Sequence, residues 1–376
     1  MKKMNILKAV FAVVISLTLV QCTSDDPIPG PMGPQGATGT NGTNGTNGTN
    51  GIDGGNVCLS CHNVDYKVVQ PATNMSSGHK IGAALAGRNN ACLNCHSNEG
   101  YIAAYKTGDI TTTFTTTATP QTVIDCMTCH SGGHAAAGLA ISGKDAALRT
   151  VDAYKLVGVG SIGKVMDFKN NSNNCIHCHQ IRRAGAGYSV TVGSNPPTVG
   201  ISSTFGPHYG GATNMLEGID ANEITGTLAY PAVGSNAHRT GASCTSCHMG
   251  KAKDGKGNHS MKPVLDNCKT CHTGAGVVNY DINGGQTKIK NLMKDLAKEI
   301  VRLQPANFSL NDGVADPYYK DFLVMPPSGT RQVPELISKA VFNYRYIYQD
   351  HSYGLHNPKY AEVLLRNSIA ALKALP

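Results

Sequence analysis

Six times in this chain a Cys-x-x-Cys is completed at once by His, and no Cys-x-x-Cys lacks that His. The cysteine pairs are Cys58 and Cys61, Cys92 and Cys95, Cys126 and Cys129, Cys175 and Cys178, Cys244 and Cys247, and Cys268 and Cys271. The histidines that follow are His62, His96, His130, His179, His248 and His272. A two-residue spacer brings both thiols and the imidazole onto one short turn. That is the attachment site of haem c: the thiols add across two vinyl groups, and the adjoining imidazole becomes the proximal iron ligand. Cysteine pairs can also hold structural zinc or form disulfides in an exported chain, but neither role needs His at the next position. The chain is therefore read as carrying six covalent haems c.

Of the 13 cysteines, only Cys22 lies outside these motifs. It follows a basic start with Lys2, Lys3 and Lys8 and an apolar run from Ala9 to Val20, the pattern of a secretory signal too short for a comfortable membrane span. Leu19-Val20-Gln21-Cys22 resembles a bacterial lipobox, although Gln21 departs from the usual small residue. Residues 1–21 are read as a lipoprotein signal peptide and Cys22 as the lipidation site. In the segment 22–29, Thr23-Ser24-Asp25-Asp26 resembles an acidic surface-export signal, with a plain solvated linker as the alternative. The expected location is the outer membrane, at the cell surface, on a lipid anchor.

Glycine recurs at every third position from Gly30 to Gly54, the spacing that a collagen triple helix requires. Only Pro31 and Pro34 supply imino acid, so residues 30–55 read as an extended polar spacer, with a collagen-like trimer as the alternative. The formal charge of +8 invites a nucleic-acid partner, but loss of Lys2, Lys3 and Lys8 with the signal lowers it to +5. Haem propionates then bring the holoprotein close to neutral, so no nucleic acid is expected.

Residues 56–285 hold all six motifs in a stretch rich in Gly, Asn, Thr and Ser, and the chain has no Trp. Such a segment lacks apolar surface for a core of its own. The expectation is a mostly irregular, haem-cored fold with short helices, formed as the cofactors attach. Residues 286–376 differ. Gln286 to Leu303 places Ile289, Leu292, Met293, Leu296 and Ile300 on one helical face. A second helix is expected over Pro334 to Tyr348, with Leu336, Ile337, Ala340, Val341 and Tyr344 inward. A third starts at Asn357-Pro358, an N-cap followed by a first-turn proline, and turns Leu364, Leu365, Ile369 and Leu372 inward.

The partner opposite each proximal His decides what such a haem can do. An iron with two protein ligands transfers electrons, whereas an open position binds small molecules. His79, His134, His208, His238, His259 and His356 are assigned as distal ligands. His177, inside the fourth motif, is placed at a haem edge. His351 is a spare, and His356 is preferred because a helix start fixes its orientation. Met75, Met249 and Met261 are read as packing.

Ser77-Gly78-His79, Cys126-Met-Thr-Cys129-His130 with His134, Gly206-Pro207-His208-Tyr209-Gly210, and Asp350-x-Ser352-x-Gly354-x-His356-Asn357-Pro358 resemble the bacterial multihaem c-type cytochromes. In motif style these are relatives of the pentahaem nitrite reductases and octahaem enzymes. The resemblance runs from about Asn56 to the C-terminus and implies a multihaem cytochrome c fold. Enzymes of those families often carry Lys in place of one proximal His. No Cys-x-x-Cys-Lys exists here, so no catalytic residue is assigned. The resemblance implies the electron-carrier branch: six low-spin haems passing electrons to other redox proteins or an extracellular acceptor. A reductase or peroxidase with one open haem and the protomer of a cytochrome filament are the alternatives.

Overall fold

Cysteines three apart and a histidine one further on share a face only if the chain turns helically. In the computed structural model, each described motif does so. The described residues are 79, 90–107, 123–124, 126–130, 148–250, 261–274, 277–311 and 321–376. The signal peptide, Cys22, the linker, the Gly-x-y spacer, Cys58, Cys61, His62, His134, His259, Met75 and the side chain of Cys126 lie outside the described residues.

The second motif lies on α1 (Asn90–His96), which is followed by α2 (Asn98–Thr107). The third lies on α3 (Cys126–Cys129), and the fourth starts on α4 (Asn173–Ile176). After α5 (Ala212–Glu217) and α6 (Ala237–Thr240), the fifth motif occupies α7 (Cys244–His248). Ser243 caps α7 in a reciprocal pair with Ser246, a residue of the motif itself. The sixth starts on α8 (Leu265–Cys268) and closes its turn with a 2.8 Å bond from the His272 N–H to the Cys268 carbonyl.

Three long helices follow: α9 (Gly285–Leu303), α10 (Glu335–Asp350) and α11 (Pro358–Lys373). α9 buries Ile289, Leu292, Met293, Leu296, Ala297 and Ile300 along one stripe. Asn357 caps α11 by accepting from the Tyr360 N–H, with Pro358 in the first turn. α10 departs from the sequence expectation. Pro334 precedes the helix as its N-cap, and the helix runs on to Asp350. It is buried almost all round, because α9, α11 and two strands pack against it. Two of its inward polar side chains find backbone partners across the packing. Asn343 donates to the Asn222 carbonyl at 2.7 Å, and the Tyr346 hydroxyl donates to the Ile219 carbonyl at 2.7 Å.

Strands are short. β1 (Tyr154–Lys155) pairs with β2 (Val165–Met166). β3 (Val190–Thr191) pairs with β4 (Thr198–Ile201), and β5 (Ser309–Leu310) pairs with β6 (Leu323–Val324). β7 (Arg331–Pro334) pairs antiparallel with β4, placing Val199 opposite Val333. The junction at 285/286 is thus a change of secondary structure within one packed body. Ile181, Val199, Ile201, Phe205, Met215 and Ile224 share a single apolar cluster with the three long helices. This corrects the expectation that residues 56–285 are cored by haem alone: part of that stretch buries its own side chains against residues 286–376. A second, smaller cluster of Leu156, Met166, Phe168, Ile176 and Leu216 backs the fourth motif.

Candidate haem-ligand pairs

Four motif histidines each face one histidine from outside the motifs. Ring centres are 6.2 Å apart for His96 and His208, and 6.1 Å for His179 and His79. They are 6.2 Å apart for His248 and His356, and 6.2 Å for His272 and His238. Two metal–nitrogen bonds of about 2.0 Å, plus about 1.1 Å from each nitrogen to its ring centre, sum to roughly 6.2 Å. The donor set and spacing therefore fit an iron held between each pair.

The ring orientations fit as well. A metal-bound His usually donates its second ring N–H to an oxygen, which fixes the ring and leaves the other nitrogen for the metal. The Nδ1 atoms of His208, His238 and His248 meet the carbonyls of Tyr209 (2.9 Å), Leu355 (2.5 Å) and Met261 (2.8 Å). That of His356 meets Asp350 Oδ1 at 2.7 Å. Burial pushes His79, His96, His208 and His248 below the usual histidine range, and His179 down to about 4. They are neutral imidazoles at neutral pH, the form that ligates metal. For His356 burial pulls the same way, but the charge and hydrogen bond of Asp350 outweigh it and the net shift is upward.

Local backbone sets three of the facing rings. His208 sits in a tight turn at φ 77, between Gly206 at φ 134 and Gly210 at φ 90. The Tyr188 hydroxyl pins this turn by donating to the Gly206 carbonyl at 2.7 Å, and Gln349 Oε1 accepts from the His208 N–H at 3.1 Å. His356 closes the loop from α10 to α11, where His351, Tyr353 and Gly354 all have positive φ. Asn236, the N-cap of α6, donates to the His356 carbonyl at 2.5 Å, while His238 two residues later reaches Leu355. One loop thus positions the histidines that face both His248 and His272.

The motifs also abut in a definite order. Cys95 of the second motif lies against the fourth, its sulfur 3.8 Å from the His177 carbonyl. The Tyr101 hydroxyl donates to Asn174 Oδ1 at 3.0 Å, tying α2 to α4, and Thr128 of the third motif donates to Asn98 Oδ1 at 2.8 Å. Ser172 accepts from the Thr245 N–H at 3.1 Å, joining fourth to fifth. Asn267 donates to the Ser246 carbonyl at 3.0 Å, joining fifth to sixth. Among the described motifs the order in space is second, fourth, fifth, sixth, with the third beside α2.

The remaining histidines and methionines lie elsewhere. His177 packs among Tyr154, Tyr101 and Tyr105 at 3.9, 5.3 and 6.2 Å between ring centres. His351 stacks on Tyr209 at 5.1 Å. Met261 acts through its carbonyl on His248, and Met249 is the C-cap of α7. His130 is held through its carbonyl, which accepts from Arg149 at 3.2 Å. The sequence reading gave Asp350 no role beyond a place in a pattern. The signal available was a carboxylate six positions ahead of a candidate ligand, which only the loop geometry turns into a contact.

Residues 233–374 match the family model of cytochrome c552, a span that takes in the fifth and sixth motifs with His238, His259 and His356. No curated protein matches the chain. Among solved structures, the outer cell wall cytochrome OcwA is similar, with a TM-score of 0.46 at 20% identity over 80% of this chain and 49% of that one. The chain thus spans about half the length of that cytochrome.

Proposed function

We propose that this chain is an electron-transfer protein with six covalent haems c, each iron held between two histidines. The observation that carries the reading is the pairing of four motif histidines with four others at 6.1–6.2 Å. On this reading His208 serves the iron of the Cys92–Cys95 motif, and His79 that of Cys175–Cys178. His356 serves Cys244–Cys247, and His238 serves Cys268–Cys271. His134 and His259 are the distal candidates for the irons of His62 and His130. Once bound, each haem supplies a one-electron iron couple. The protein's part would be to hold two imidazoles at fixed separation, so that both would serve the iron and leave no position open to substrate. The abutting motifs supply the close spacing that a conduit needs.

The match to the cytochrome c552 model supports a c-type cytochrome. A lipid on Cys22 and the spacer of residues 30–55 would hold the haem-bearing part off the outer membrane, facing redox proteins or an extracellular acceptor. The test is a haem count by pyridine haemochrome together with electron paramagnetic resonance of the oxidised holoprotein. Six haems, all low-spin, are expected, and His208→Ala should turn one of them high-spin. High-spin ferric iron that binds cyanide in the unaltered protein would instead favour a reductase with an open haem.

A further inference from the structure

Three of the four Nδ1 contacts end on neutral backbone carbonyls, and the fourth ends on a carboxylate. We propose that Asp350 is a positioning residue that lowers the reduction potential of the haem held by His248 and His356. This rests on the ligand pairing proposed above. The Asp350 side chain is only 2% exposed, and among the described residues its one ion-pair partner is His356. Oδ1 takes the His356 Nδ1–H at 2.7 Å, while Oδ2 takes the Ser352 hydroxyl, whose oxygen accepts in turn from the His356 backbone N–H at 3.2 Å. The carboxylate is thus spent on the imidazole. Drawing the Nδ1 proton away makes the ring a stronger donor, and a buried negative charge favours the ferric over the ferrous state. Asp350 also ends α10, where the helix dipole adds the same sign. Among the described residues no histidine of the other three pairs meets a carboxylate, so this haem is the last of the four to be reduced. It lies between the fourth and sixth motifs, inside the conduit.

A redox titration of the holoprotein followed by electron paramagnetic resonance tests this. The His248 and His356 planes lie at 37°, against 62°, 71° and 69° in the other pairs. Planes nearer parallel split the iron d-orbitals more, so this haem gives a rhombic low-spin signal apart from the three strongly anisotropic ones. His356→Ala identifies the signal by abolishing it. In Asp350→Asn the haem should stay low-spin while its equilibrium moves about tenfold toward ferrous, about 59 mV upward for a one-electron couple. The anisotropic signals should not move. Ser352→Ala keeps the carboxylate but removes its hydroxyl donor, and should move the same haem downward. The proposal is overturned if Asp350→Asn stays low-spin with its midpoint unmoved. Should that variant not fold, an unmoved or raised midpoint in Ser352→Ala overturns it. If His356→Ala leaves every signal low-spin and intact, the ligand pairing itself is wrong, a separate failure.

Discussion

Gly206 shows how closely a ligand's placement depends on a missing side chain. Its φ of 134 is one that residues with a Cβ rarely adopt, and a Cβ there would lie 2.9 Å from Gln349 Oε1 and 3.0 Å from Arg345 Cβ. Gln349 is the group that anchors the His208 N–H, so the clash strikes the turn at its support. Gly206→Ala is expected to cost about 1–3 kcal/mol of stability. It should also release His208, turning the iron opposite His96 high-spin while the rest stay low-spin, as read by chemical denaturation and paramagnetic resonance. At this scale the sequence was partly legible. Gly206-Pro-His208-Tyr-Gly210 announces a histidine on a tight turn. It does not announce His96 as the partner, because that pairing is made by packing between distant parts of the chain. Asp350 was illegible as a tuning group for the same reason: its contact with His356 exists only once three positive-φ residues have folded the loop back.

Among the elements, α9 and α11 were the most readable, because each faces the core with one stripe and the 3.6-residue period records it. α10 was less so, since a helix buried on every side leaves no polar face to set a period. Its Asn343, Arg345 and Gln349 look like surface residues in sequence and are interior residues in the fold, each meeting a partner from outside the helix. Leu296 of α9 is fully buried, so Leu296→Ala should cost about 2–5 kcal/mol in denaturant unfolding while leaving the haem spin states unchanged. On the outer side, Glu362 of α11 binds Lys288 of α9 at 2.8 Å and Arg366 at 2.9 Å. The Lys288 hydrogen bond is the first cause holding its carboxyl below the ordinary glutamate value of 4.5. A depressed carboxyl stabilises the fold above its unfolded pKa and loses that contribution as pH falls through the folded value. The pair is partly exposed, so Glu362→Gln should cost no more than about 1 kcal/mol at pH 7. The difference from the unaltered protein should vanish in acid, below the depressed value.

For the molecule as a whole, the question is what folds when no cofactor is attached. Composition argued that the motif-bearing stretch depends wholly on haem, since Trp is absent and aromatic residues make up only 6% of the chain. That average hid where the aromatics lie: Phe342, Tyr344, Tyr346 and Tyr360 are all fully or almost fully buried around α10. Residues from Ile181 to Ile224 join them in one apolar cluster, and the β4–β7 pairing ties the two regions together. None of those side chains is a haem ligand. Around α1 and α3 the balance is different: among the described residues Leu93, Tyr101 and Ala104 are the buried apolar ones, and linking contacts run through Thr128, Asn98 and Asn174. Polar links of that kind contribute about 1 kcal/mol each, too little to offset the entropy of ordering the segment. Protein exported without haem attachment should therefore keep one part and lose the other. Limited proteolysis with mass mapping should yield a resistant core reaching from about Leu156 to the C-terminus, with α9, α10 and α11 still visible as helix by circular dichroism. The motifs on α1 and α3 should be cut away. In the holoprotein, thioether attachment of haem would suppress that cleavage. Complete digestion of the haem-free chain would show instead that the apolar cluster cannot stand without its cofactors, and that haem nucleates the entire fold.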